Sequence, residues 1–78
     1  MKTYQSMTLK TVYPQIHNGS IKHGLSIDPI TPEEAADTIN NPYIEIEYLQ
    51  PGTELQAGDR IIYMEQGLWY LISFLKRI

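Results

Sequence analysis

Seventy-eight residues without a single cysteine exclude a disulfide framework and a thiolate metal site, and they leave room for one domain, residues 1–78. Residues 1–7 carry one lysine and no apolar stretch suited to a secretory leader, and the longest apolar run, residues 68–75 broken by Ser73, is far short of the roughly 20 residues that cross a bilayer, so a cytoplasmic chain with no membrane partner is expected. The net charge of -3 is segregated, with +3 before Asp28, -8 from Asp28 to Glu65 and +2 at Lys76-Arg77, a distribution that opposes binding along a phosphate backbone.

Residues 5–13 are rich in β-formers and lack glycine and proline, which predicts a strand with Met7 and Leu9 on one face and Pro14 closing it. Asn18-Gly19 tolerates the positive φ values of a type I′ turn, so a two-residue hairpin loop is expected to pair Ile16 with Ile21 and His17 with Ser20. Residues 21–27 form the returning strand, with Gly24 at a bulge. In Thr31-Pro32-Glu33-Glu34 the threonine is an N-cap, the proline suits the first helical position and Glu34 completes a capping box. A helix therefore starts at 32 and runs to about 40, where Asn41-Pro42 stops it. Too short to stand alone, it must dock on a sheet through Ala35, Ala36 and Ile39.

Residues 43–48 alternate cleanly, with Ile44, Ile46 and Tyr48 on one face and Glu45 and Glu47 on the other, as a half-buried strand does. Pro51-Gly52 and Gly58-Asp59 mark turns, and residues 60–65 read as the next strand. The run from Leu49 to Tyr63 resembles the turn-then-strand phrase of many small β-barrels, in which Gly-Asp precedes a strand. A two-residue loop at Gln66-Gly67 pairs Met64 with Trp69, Tyr63 with Tyr70 and Ile62 with Leu71. Leu68, Leu71, Ile72 and Leu75 also fit a helical stripe, but the glycine turn and the aromatic content favour a strand. The expected fold is α+β and mostly β: a small antiparallel sheet or partly open barrel of about five strands, with one short helix packed on it.

Chemistry finds little purchase in this pattern. If the Asn18-Gly19 hairpin forms, His17 and His23 lie on opposite faces and cannot share a metal, so neither a metal nor a cofactor is expected. No serine sits in a nucleophile elbow, no glycine-rich phosphate loop is present, and the acids of the helix start have a structural role against the helix dipole. The chain is expected not to be an enzyme.

Two features remain. The terminal hairpin is apolar on both faces, which marks Tyr63, Met64, Trp69, Tyr70 and Leu71 as a candidate partner-binding surface. The acidic middle, Asp28, Glu33, Glu34, Asp37, Glu45 and Glu47, is a candidate surface for a basic partner and could imitate nucleic-acid phosphates. Together they point to a protein-binding module, of the kind a phage or mobile element uses to inhibit a host defence protein, whose partner is another protein, itself a nucleic-acid-binding one in the mimicry version. Two other classes stand beside it: a small barrel binding single-stranded nucleic acid through its aromatics, and a structural subunit stable only as a homodimer or larger homo-oligomer.

Overall fold

The computed structural model describes residues 1–78 as eight short elements in chain order: β1 (Thr3–Ser6), α1 (Leu9–Val12), α2 (Pro14–His17), β2 (Leu25–Ile30), α3 (Pro32–Ile39), β3 (Ile46–Tyr48), β4 (Arg60–Glu65) and β5 (Leu68–Phe74). The strands form one open sheet in the order β2-β5-β4-β1-β3. Strand β1 pairs in parallel with both β3 and β4, whereas β5 pairs antiparallel with β4 and β2. Four strands thus run one way and β5 alone runs back. The class is α+β with more strand than helix, but the sheet is mixed rather than antiparallel and does not close into a barrel. Only the Gln66-Gly67 loop is short enough to make a hairpin, and the other three connections cross the sheet.

The crossovers explain where the core sits. Residues 7–24 run from β1 to β2, residues 31–45 run back across the sheet to β3, and residues 49–59 return to β4. Crossovers of one hand that travel in opposite directions must lie on opposite faces. The first and third share a face, where Leu9, Ile16, Leu49 and Leu55 pack with Tyr4, Ile61, Tyr63, Ile72 and Phe74. Ile62 and Ala35, 1% and 0% exposed, stand outside that cluster, with α3 against β5 on the second face. Both faces of the central strands are therefore covered. Each fully buried isoleucine or leucine there stabilises the fold by about 1.5–3 kcal/mol relative to an exposed one.

Local chemistry agrees with the expectations at α3 and at the terminal hairpin. Thr31 accepts from the Glu34 amide at 3.1 Å while the Glu34 carboxylate accepts from the Thr31 amide at 3.1 Å, a complete capping box with Pro32 at the first turn. Strands β4 and β5 pair Met64 with Trp69, Tyr63 with Tyr70 and Ile62 with Leu71. Gln66 and Gly67, at φ 51° and 79°, make the type I′ turn between them.

The first third of the chain differs. Residues 5–13 are not one strand: β1 ends at Ser6, and Leu9–Val12 is helical. Pro14 opens α2 rather than closing a strand, and Asn18-Gly19 ends that helix, with Asn18 as C-cap and Gly19 at φ 80°. No hairpin forms there, so Ile16 does not pair with Ile21, nor His17 with Ser20. The returning strand is shifted to Leu25–Ile30 and pairs with β5, with Pro29 accommodated at the sheet edge. The single expected helix becomes three helical segments. Strand β3 is shorter than residues 43–48, and Tyr48, expected to be half-buried, is 70% exposed because β3 is the outermost strand.

Two junctions close the structure. The buried Asp59 carboxylate accepts from the Lys2 and Gln56 amides, each at 2.9 Å, joining the start of β1 to the turn before β4. At Gly24, φ 82°, the methylenes of Lys76 occupy the place of a Cβ, and the Leu75 amide donates to the Gly24 carbonyl at 2.7 Å. The radius of gyration, 11.6 Å, matches the roughly 11.5 Å of a compact chain of this length. No helix is long and apolar enough to cross a membrane.

Candidate protein-binding surface

Register assigns every strand residue to a face. In the parallel region, Tyr4, Glu47 and Ile61 are in line on one face, while Gln5, Tyr48 and Ile62 are in line on the other. The hairpin aromatics divide accordingly. Tyr63 is 7% exposed and stacks on Tyr70 with centroids 5.2 Å apart, so its ring belongs to the core and is not offered to a partner. Burial, reinforced by Glu65 and then Tyr70, pushes the Tyr63 hydroxyl above its ordinary pKa. Met64, Trp69 and Leu71 are half-buried on the second face, and at the hairpin tip only Leu68, 60% exposed, is an open apolar side chain.

The six acids are all exposed: Asp28 on β2, Glu33, Glu34 and Asp37 on α3, and Glu45 and Glu47 at β3. One of them has a cation. Lys2 reaches Glu47 at 3.3 Å, and that hydrogen bond and charge hold the Lys2 ammonium above its usual pKa. Asp28 accepts only from the Ser26 hydroxyl, at 3.4 Å, and Glu34 is engaged in the capping box. Glu33, Asp37 and Glu45 have neither an ion pair nor a hydrogen bond. Register puts Glu47 on the first face with Tyr4 and Ile61 and Asp28 on the second with Ile62 and Leu71, and α3 packs on β5, so the six acids are spread over both faces and the rim rather than gathered at one point.

Beside them, Arg60 lies in line with Thr3 and donates to its hydroxyl at 3.1 Å, while the guanidinium Nε is buried without a partner. A cleft of about 280 Å³ opens over this guanidinium, lined also by Tyr43, Ile44 and Glu45.

A second cleft, about 240 Å³, lies where β1 and β4 end. His17 sits on its wall and its Nε2 meets the Glu65 carboxylate at 2.6 Å, tying α2 to β4. The sequence offers no signal for this pair, because the hairpin reading sends His17 away from β4. No serine lines this cleft, and Ser6, at the end of β1, is buried and accepts from the Thr8 amide at 3.3 Å. His23 is exposed in the turn before β2, and no three His, Asp or Glu side chains converge as metal ligands would.

The chain matches no family model, and comparison with curated proteins and with solved structures finds no match either.

Proposed function

We propose that this chain is a protein-binding module that covers a basic, nucleic-acid-binding surface of its partner, in the manner of the small inhibitors that phages and mobile elements direct at host defence proteins. The observation that carries the reading is the excess of exposed acid: six exposed carboxylates over the two faces and the rim, of which only Glu47 has an ion pair, to Lys2. Such a surface repels nucleic acid and raises the encounter rate with a basic protein.

The test is affinity capture from the source cell with two baits, the natural chain and a variant with Asp28→Asn, Glu33→Gln, Glu34→Gln, Asp37→Asn, Glu45→Gln and Glu47→Gln. Glutamine at position 34 keeps the capping box. The expected result is a basic partner held by the natural chain and lost from the amide variant. The same partner on both baits would end the charge-based reading, and a nucleic acid displaced by neither would end mimicry.

A further inference from the structure

The two edges of the sheet are not equivalent. Edge strand β2 carries Pro29, which lacks a backbone N–H and blunts an edge against pairing. Edge strand β3 has no proline, lysine or bulge. On its inner side the Leu49 amide donates to the Gln5 carbonyl at 2.9 Å, and Thr3, Tyr4 and Gln5 face Ile46, Glu47 and Tyr48 in parallel register. In that register Glu47 and Leu49 turn their backbone groups toward β1. Ile46 and Tyr48 turn theirs outward, two N–H and two C=O groups with no strand beyond them.

We infer that β3 is the docking edge for an extended partner segment that alternates apolar and basic residues, added as a sixth strand. The inference rests on the reading of the chain as a binder of basic protein surfaces and names the mode of that binding. Side chains of an added strand fall beside those of β3 face by face. The position next to Glu47, with Glu45 close by, takes lysine or arginine. The positions next to Ile46 and the 70% exposed Tyr48 take apolar side chains, with the 95% exposed Tyr43 available at the end of the strand. A second copy of this chain does not fit. The antiparallel register that uses all four outward groups on both copies sets Glu47 directly opposite its own counterpart, a like-charge pair at the closest spacing of a sheet.

The probe is a capped seven-residue peptide of alternating lysine and valine, titrated into the 15N-labelled full chain to roughly 1 mM. Two control peptides replace every lysine by glutamate or the central valine by proline. Strand addition is expected to protect the Ile46 and Tyr48 amides from hydrogen exchange and to fail with both controls. Tyr48→Pro removes an outward N–H without touching the β1 ladder and should weaken binding about tenfold or more. Tyr48→Lys, a milder edge block that keeps the backbone intact, should weaken it in the same direction and covers the case in which the proline variant does not fold. Glu33→Gln with Asp37→Asn, remote from β3, should leave affinity within about threefold. Equal binding of the proline-interrupted peptide, or shifts centred on α3 without protection at Ile46 and Tyr48, would overturn strand addition while leaving the charge-based reading standing. No binding of the lysine–valine peptide alongside a captured partner that still depends on the six acids would do the same. Light scattering that shows a dimer with Ile46 and Tyr48 already protected would overturn the choice of occupant.

Discussion

Asp59 offers the sharpest quantitative test of how the fold is closed. Its carboxylate, 4% exposed with its residue, accepts two backbone N–H groups at 2.9 Å, one from Lys2 at the start of β1 and one from Gln56 in the preceding turn. Hydrogen bonds to a charged acceptor are each worth about 1.5–3 kcal/mol net. Asp59→Asn keeps one acceptor oxygen and turns an amide NH2 toward the other backbone N–H, so one bond is lost and two donors face each other. The expected cost is about 2–4 kcal/mol, a large share of the roughly 4–12 kcal/mol available to a chain of this length. With a urea slope of about 1 kcal/mol per molar, the unfolding midpoint should fall by roughly 2–4 M. Trp69 fluorescence reads the transition through side-chain packing and far-UV circular dichroism through the backbone, and the two should coincide. Asp28→Asn, on the surface, serves as the control and should stay within about 0.5 kcal/mol. A midpoint for Asp59→Asn within about 0.5 M of the natural chain, at unchanged slope, would refute the role assigned to that carboxylate.

Ile61→Ala and Ile62→Ala should each cost about 2–5 kcal/mol in the same assay, because the two side chains are buried on opposite faces; a loss below about 1 kcal/mol at Ile62 would show that α3 does not seal the second face. Gln66→Asn should raise stability by about 0.5–1 kcal/mol, since asparagine adopts the left-handed conformation of Gln66 more readily; no gain in midpoint would count against strain at that turn. Burial raises the hydroxyl pKa of both Tyr4 and Tyr63, so above about pH 10 the unfolded chain releases protons that the folded chain retains. That share of stability is complete below this pH and is lost as pH rises through the folded pKa. Urea midpoints should therefore decline on the alkaline side, less steeply in Tyr63→Phe, and an equal decline in the two proteins would remove Tyr63 from the effect.

The sequence was legible where short-range chemistry decides the structure. Thr31, Pro32 and Glu34 specify a helix start by hydrogen bonds that close within one turn, and Gln66-Gly67 fixes a hairpin register by loop length alone. In the first third two local signals each serve two structures. Asn18-Gly19 supplies the positive φ of a helix stop as readily as that of a hairpin, and threonines at positions 8 and 11 tip propensity toward strand. The spacing of Leu9, Val12, Tyr13 and Ile16 is a helical i, i+3, i+4, i+7 stripe, and all four meet the core cluster, so the periodicity was present beneath the propensity. Parallel pairing was not legible at all. Nothing local in Thr3–Ser6 states that its neighbours are Ile46–Tyr48 and Arg60–Glu65. For the surface, charge pattern identified six acids that are all exposed, whereas the two-faced apolar hairpin proved to be mostly interior, with Tyr63 in the core.

The lone antiparallel turn between β4 and β5 also sets an order of assembly. It is the only strand pair that can form without closing a long loop, on a timescale of about 1–10 μs, and every other pairing waits on a crossover. The β4–β5 hairpin therefore acts as the template, with one free side for β2 and the other for β1, and β3 can join only after β1 has arrived. Three residues long and last in line, β3 is held by the fewest bonds to the rest of the sheet. In native-state exchange the Glu47 and Leu49 amides should open first among the strands, well below the global free energy. A nascent or partly opened chain thus exposes β1, with its parallel-ready backbone, before it exposes anything of the template.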